Sequence, residues 1–87
     1  MTEPNGDPAQ MAELARAVGE RVRAARVTAG LSQSGLERAA DLLPTTVTKL
    51  ERGEVWNVTI GDLIRMAYAL GVHARTLLPD DEVTTKI

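Results

Sequence analysis

The chain has 87 residues, enough for one compact domain and too few for a second. With 44% hydrophobic and 25% charged residues, its composition is that of a folded globular protein and excludes a disordered one. Aromatic residues make up 2% and Phe is absent, so Ala, Leu, Val and Ile have to build the core, which favours packed helices. We therefore predict an all-α fold.

The chain lacks the residues that several classes of function require. The chain has no Cys and one His, His73, so it has no disulfide framework, no thiolate nucleophile and no Cys/His zinc site. It also lacks a nucleophile–base pair and a glycine-rich phosphate loop. We predict no enzyme, no cofactor and no metal. The acidic, turn-forming N-terminus does not resemble a signal peptide and no long apolar run follows, which predicts a cytoplasmic protein without a membrane segment.

Charge is distributed unevenly around the net value of −2. Residues 15–78 contain nine Arg and Lys against six Asp and Glu, a net charge of +3, whereas residues 1–14 carry −3 and residues 79–87 carry −2. We predict a neutral-to-basic domain at 9–78 between a flexible acidic N-terminal tail at 1–8 and an acidic C-terminal tail at 79–87. A basic middle is compatible with a nucleic-acid partner.

The first predicted helix runs from about Ala9 to Ala29, because apolar residues recur there at helical spacing. Gly30 follows as a left-handed cap. Gly19 lies in the interior and weakens a continuous helix, so residues 9–17 are expected to be separate or frayed.

Two short helices follow. Ser32 is a favourable N-cap for helix 2, which runs to about Ala40. Pro44 is placed at the first position of helix 3, where its missing N–H costs nothing. Helix 3 runs to about Arg52 and is closed by Gly53.

The rest of the chain predicts two more helices. Thr59 caps helix 4 with Asp62 in a capping box, and Gly71 ends it. Its predicted apolar stripe consists of Ile60, Leu63, Ile64, Ala67 and Leu70. Helix 5 is short, from His73 to Leu78, and Pro79 ends it. The loop between helices 3 and 4 holds the single Trp, Trp56, which either covers the edge of the core or is exposed and anchors a dimer.

Helices 2 and 3 have the arrangement of a DNA-binding helix-turn-helix, in the segment LSQSGLERAADLLPTTVTKLERGE at residues 31–54. Such a motif uses one helix to brace a second helix that enters the major groove. In helix 3, Val47 and Leu50 point inward. The polar residues of its first two turns point elsewhere: Thr45, Thr46, Thr48 and Lys49.

These residues resemble the lambda-repressor/Cro-like helix-turn-helix proteins, the XRE type of transcriptional regulator. The resemblance covers residues 18–78. It depends on the following residues: Gly19, Val22, Arg26, Gly30, Leu31, Ser32, Gln33, Leu36, Val47, Leu50, Glu51, Arg52, Gly53, Leu63, Ala67, Leu70, Gly71, Val72, Leu77 and Leu78. It implies a five-helix lambda-repressor-like domain that binds double-stranded DNA.

The resemblance also implies roles for individual residues. Gln33 matches a residue that hydrogen-bonds a DNA phosphate, and Arg26 with Glu51 matches an ion pair between helices 1 and 3. The positions that meet base edges match Pro44, Thr45, Thr46, Thr48 and Lys49.

Other positions are open or depart from the family pattern. Arg23, Arg38 and Arg52 are either phosphate contacts or solvated charges. Asp41 replaces the Gly that is usual in the turn, so the turn relies on Asp tolerating the left-handed region. Leu43 stands where Ser or Thr would cap helix 3, which leaves its first N–H groups for water or phosphate.

We predict a sequence-specific transcriptional regulator, a repressor that binds its operator as a homodimer through helix 3 in the major groove. Predicted dimer contacts are Trp56, Met11, Leu14, Val83 and Ile87. One alternative is the antitoxin of a toxin–antitoxin pair, whose partner would be the toxin. Another is a helical protein-interaction module that does not bind DNA, which the acidic total charge and Pro44 support.

Overall fold

The computed structural model describes residues 8–79, which form four α-helices and one 3-10 helix and contain no strand. The α-helices are α1 (Pro8–Thr28), α2 (Gln33–Ala39), α3 (Thr46–Glu51) and α4 (Ile60–Leu70), and the 3-10 helix is Ala74–Leu77. The all-α prediction is confirmed for this part of the chain. The two predicted tails lie outside the described residues, apart from Pro8 and Pro79.

The first helix is continuous, so the predicted interruption near Gly19 is wrong. Gly19 faces the end of α3, and a Cβ atom added there would lie 2.4 Å from the carbonyl oxygen of Leu50 and 3.2 Å from the backbone of Glu51. Glycine in a helix interior costs about 1 kcal/mol relative to alanine. Here it lets the backbones of α1 and α3 come close together, and packing offsets that cost.

The core lies where α1, α2, α3, α4 and the 3-10 helix meet. Helix α3 packs against both α1 and α2, and α4 packs against α2 and the 3-10 helix. The buried side chains of this cluster are Val22, Leu36, Ala40, Val47, Leu50, Met66, Ala67, Leu70 and Leu77. Because α3 is braced from two sides, its remaining surface is available to solvent. None of the helices that the structure describes has the length and apolar composition needed to cross a bilayer.

Helix α4 begins and ends as predicted, and it buries part of the predicted apolar stripe. Thr59 accepts a hydrogen bond of 3.0 Å from the N–H of Asp62, whose carboxylate accepts one of 3.1 Å from the N–H of Thr59. Gly71 ends the helix with φ of 72°. Of this stripe, Ala67 and Leu70 are buried and Leu63 is partly buried against the core, whereas Ile60 and Ile64 are exposed. The unpredicted Met66 is buried in their place. Apolar residues occupy most of the circumference of α4, so periodicity alone did not identify the packed face.

The fifth predicted helix is a 3-10 turn, four residues long, rather than an α-helix. Its N–H groups bond three residues back, from Thr76 to His73 at 2.9 Å and from Leu78 to Arg75 at 3.1 Å. The segment between Gly71 and Pro79 is too short for a stable α-helix, whereas 3-10 turns are common in connections of this length. Buried Leu77 fixes it to the core.

Candidate nucleic-acid interface

Helix α3 has a buried face and a face open to solvent. Val47 and Leu50 are fully buried, whereas Thr45 and Lys49 are exposed and Thr48 is half-buried. Of the other predicted base-contacting residues, Pro44 is exposed and Thr46 is half-buried. The structure therefore brings all five of these residues to the N-terminal end and outer side of one short helix.

The turn before α3 differs from the prediction, because α3 begins at Thr46 and not at Pro44. The N–H of Thr46 bonds the carbonyl of Leu43 at 3.2 Å, and Thr45 has φ of 67° and ψ of 0°. This is the pattern of a type II turn with Pro44 at its second position and a left-handed third residue. Proline is favoured there because its fixed φ suits the turn, so Pro44 precedes the helix. Asp41 is also left-handed, with φ of 55°.

A carboxylate from the neighbouring helix caps α3. The Thr45 side chain makes no capping hydrogen bond, and Leu43 cannot make one. Instead, Oε2 of Glu37 in α2 accepts a hydrogen bond of 2.9 Å from the N–H of Val47. Glu37 is buried, with 8% of its surface exposed. The expectation that the first N–H groups of α3 are left to water or phosphate is therefore wrong for Val47. The sequence gives no local signal for this cap, because its two partners lie on different helices.

An ion pair joins α1 to the end of α3. Nε and Nη2 of Arg26 donate to the two carboxylate oxygens of Glu51 at 2.6 and 3.0 Å, which makes the pair bidentate. The side chains are 13% and 5% exposed, so the pair is largely buried. Nη1 of Arg26 also donates to the carbonyl of Leu31 at 2.9 Å, just before α2.

Two polar side chains extend this ion pair to the outer side of α3. Nε2 of Gln33 donates to Oε1 of Glu51 at 3.0 Å, and the hydroxyl of Thr48 donates to Oε1 of Gln33 at 2.9 Å. The network runs from Arg26 through Glu51 and Gln33 to Thr48 and connects α1, α2 and α3. Two residues for which the resemblance implied separate DNA contacts, Gln33 and Thr48, are thus bonded to each other.

The network also changes the ionisation of its charged groups. Burial by itself raises the pKa of Glu51, but hydrogen bonds from Arg26 and Gln33 and the positive charges of Arg26 and Arg23 outweigh it, so the pKa lies below its ordinary value of 4.5. The hydrogen bond to Glu51 raises the pKa of Arg26 against the opposing effect of burial, and the charge of Glu51 adds to the increase.

The predicted phosphate-contacting arginines lie on three parts of the domain. Arg23 is on α1, Arg38 is on α2, and Arg52 directly follows α3; all three are exposed. Arg52 also lies 3.4 Å from the carboxylate of Glu54, in a pair that is mostly exposed. Such a pair contributes little stability, so it costs Arg52 little to turn toward another anion.

A groove of about 420 Å³ lies beside α3, lined by the turn before the helix, by Lys49 and by the loop that follows Gly53. Trp56 lines it and is 64% exposed, so it does not cover the core. Among the other predicted dimer contacts, Met11 and Leu14 are half-buried on α1, whereas Val83 and Ile87 lie outside the described residues.

The chain is similar in sequence and fold to known proteins. Residues 17–79 match the model of a helix-turn-helix domain family. Over 71 residues the chain is 38% identical to a hypothetical transcription factor of Neisseria meningitidis serogroup B, and the match covers 80% of this chain and 66% of that protein, slightly less than two thirds.

Two crystal structures are also similar. A Neisseria hypothetical transcription factor, NHTF, is 37% identical with a TM-score of 0.69, and the match covers 86% of each chain. The restriction-modification controller protein C.AhdI from Aeromonas hydrophila is 34% identical with a TM-score of 0.68, over 77% of this chain and 98% of that one. The protein therefore belongs to the helix-turn-helix domain family, of the lambda-repressor/Cro-like, XRE type.

Proposed function

We propose that the protein represses transcription by binding an operator in duplex DNA as a homodimer, with α3 of each copy in the major groove. The observation that carries this proposal is the division of α3. Its inner side is fixed by buried apolar residues and by two carboxylates, Glu37 and Glu51, while Thr45 and Lys49 are exposed on its outer side. A helix so held can present side chains to base edges in a fixed orientation.

The reading side chains suit particular base edges. The ammonium of Lys49 can donate to O6 and N7 of guanine, and threonine methyl groups can contact the methyl group of thymine. Thr48 is more restricted, because its hydroxyl hydrogen is already donated to Gln33. Toward DNA it therefore offers oxygen lone pairs, which can accept a hydrogen bond from an amino group of adenine or cytosine. It also offers a methyl group, which can contact thymine.

Phosphate contacts are proposed to orient the domain on the duplex. The amide of Gln33 donates one N–H to Glu51, and we propose that its second N–H donates to a phosphate. Arg23, Arg38 and Arg52 would neutralise further phosphates. Each contact of this kind releases counterions, so binding should weaken steeply as salt rises.

The relatives support a regulator over the two alternatives raised by the sequence. One is a hypothetical transcription factor and another is a restriction-modification controller protein. Neither resemblance favours a toxin-neutralising protein or an interaction module that does not bind DNA.

The fluorescence of Trp56 offers a convenient reporter of binding. Trp56 is the single tryptophan of the chain and lines the same groove as Lys49.

Selection of bound sequences from a random DNA pool tests the proposal. We expect a palindromic site, a Trp56 fluorescence change on binding, and a steep decrease in affinity with salt. Arg52→Ala should weaken binding to all sequences and reduce the salt slope by about 1, whereas Lys49→Ala should relax the preference at particular base pairs. Arg75→Ala is the matched control, since Arg75 is exposed on the 3-10 helix and should leave binding unchanged. Absence of binding at low salt across the pool would refute the proposal.

A further inference from the structure

The groove beside α3 contains two charged side chains that have no partner among residues 8–79. The charged residues that line it are Asp41, Lys49, Glu54, Asp62 and Arg65. Glu54 pairs with Arg52, and Asp62 pairs with Arg65. The carboxylate of Asp41 and the ammonium of Lys49 are exposed, and neither makes a hydrogen bond or an ion pair within that part of the chain. The groove therefore offers a ligand one free acceptor group and one free donor group.

Leu43 adds an apolar contact to the same groove. Its side chain is 79% exposed and lines the groove, whereas its neighbour Leu42 packs against the core. The backbone is held on both sides. The N–H of Leu42 donates to the carbonyl of Glu37 at 2.8 Å, and the carbonyl of Leu43 accepts from the N–H of Thr46 at 3.2 Å. Leu43 therefore contributes little to the core, and its fixed backbone reduces the entropy that binding costs.

Position 43 is free for a binding role because another residue caps α3. The resemblance to the lambda-repressor/Cro-like proteins implies a capping Ser or Thr at this position. In this chain Oε2 of Glu37 accepts the hydrogen bond from the N–H of Val47 instead. A hydroxyl group at position 43 is therefore not needed to cap the helix, and the position can carry an apolar side chain that faces a ligand.

These three groups match the major-groove edge of a cytosine·guanine pair that carries a methyl group on C5 of the cytosine. Cytosine presents its N4 amino donor next to C5, and guanine presents the acceptors O6 and N7. Asp41 and Leu43 belong to one turn, so an acceptor for N4 and an apolar contact for C5 come from the same segment. Lys49, on α3, supplies the donor for guanine. In a thymine·adenine pair the group next to the methyl is the acceptor O4, which a carboxylate repels.

We propose that the groove recognises a 5-methylcytosine·guanine pair, with Leu43 on the methyl group, Asp41 on the N4 amino group and Lys49 on the guanine. The inference rests on the DNA binding proposed above and adds that affinity depends on methylation of the site. Burial of one methyl group against Leu43 gives a gain in affinity of about fourfold. The carboxylate provides the selection against thymine, because the methyl group is common to both bases.

Duplexes that differ at a single cytosine test the methyl contact in the full chain. Selection from a random pool made with 5-methylcytosine supplies the site, and each methylated cytosine is then replaced in turn by cytosine. At one position, loss of the methyl group should weaken binding about fourfold. Leu43→Ala should bind both duplexes equally, with an unchanged urea midpoint because the side chain is exposed. Val27→Ala, at an exposed aliphatic position on α1, should keep the difference. Persistence of the difference in Leu43→Ala would overturn the proposal.

Asp41→Asn tests the carboxylate. Asparagine keeps the shape and tolerates the left-handed backbone, with φ of 55°, but its amide can also donate to O4 of thymine. The unmodified protein should prefer 5-methylcytosine to thymine at this position on the order of tenfold, and Asp41→Asn should lose most of this preference. Glu54→Gln removes one negative charge from the same groove and should keep the preference. An unchanged preference in Asp41→Asn would contradict the role of the carboxylate.

The same measurements separate this inference from the proposed function. Absence of binding to every duplex at low salt, methylated or not, would refute DNA binding itself. Binding that does not respond to methylation would leave DNA binding intact and reject only the methylcytosine site. An equal loss of affinity for all duplexes in Leu43→Ala would show that Leu43 contacts the sugar–phosphate backbone, and would also reject the site.

Discussion

Glu37 of α2 and Val47 of α3 are joined by a hydrogen bond of 2.9 Å from the backbone N–H of Val47 to Oε2 of Glu37. The first N–H groups of a helix have no partners within the helix, and α3 has no capping side chain of its own. The buried carboxylate takes that role and fixes α3 against α2. The orientation of the proposed reading helix therefore depends on a buried residue of the neighbouring helix.

Glu37→Ala should lower the free energy of unfolding by about 2 kcal/mol, because it leaves a buried N–H without its acceptor. Glu37→Gln retains an acceptor oxygen and should cost less. Urea denaturation measures both, with Glu54→Ala at an exposed position as the control. Equal stability of Glu37→Ala and the unmodified protein would contradict the capping role.

Removing one partner of the buried ion pair should be strongly destabilising. Arg26→Ala leaves Glu51 buried without its bidentate partner, at a cost of about 3 kcal/mol. The double variant with Glu51→Ala should cost less than the two single variants together, because it leaves no unpaired charge. A double-mutant cycle from urea denaturation gives the coupling free energy. Additive effects would mean that the pair does not interact in solution.

Stability should decrease in acid in a way that depends on Glu51. Because the folded protein lowers the pKa of Glu51 below 4.5, the ionised carboxylate stabilises the fold above that pH. This contribution is lost as the pH falls through the lowered pKa. The free energy of unfolding should therefore fall more between about pH 6 and about pH 3, a range that spans the ordinary carboxyl pKa, in the unmodified protein than in Glu51→Gln. Parallel curves for the two proteins would contradict the lowered pKa.

Thr45 holds a strained backbone at the start of α3. A β-branched residue with φ of 67° is a rare outlier, and such strain costs roughly 1–3 kcal/mol. Thr45→Gly should therefore raise the free energy of unfolding by about 1 kcal/mol while it relaxes base preference on the selected site. Thr46→Gly, inside the helix, is the matched control and should be destabilising. If Thr45→Gly also destabilises the protein, the left-handed conformation is not strained.

Thr48 and Gln33 should have different effects on DNA binding although they are bonded to each other. Thr48→Val keeps the shape but removes the hydroxyl, so it should change the preference at one base pair and cost about 1 kcal/mol of stability. Gln33→Ala should weaken binding to all sequences about equally, because it removes the proposed phosphate contact. Affinities for the selected site, its single-base variants and unrelated DNA measure both. The same change of preference in both variants would show that Gln33 acts by positioning Thr48.

Local signals in the sequence determined the helices and most of their ends. The capping box of Thr59 and Asp62 and the left-handed glycines at positions 30 and 71 act within a few residues of the chain, so the pattern of residue types is sufficient to predict them. The order of the helices, with a short pair around a turn, likewise indicated the helix-turn-helix. The resemblance to a known family added the pairing of Arg26 with Glu51, which no local pattern contains.

The tertiary structure decided the features whose partners are distant in the sequence. Glu37 reads as an ordinary surface charge until α2 and α3 pack together, and Gly19 reads as a weak point until α3 crosses α1 there. Helix α4 is apolar around most of its circumference, so packing against α2 and the 3-10 helix selected Met66 for the core and left Ile60 and Ile64 outside. Periodicity describes one helix at a time, whereas burial depends on which neighbours the helix meets.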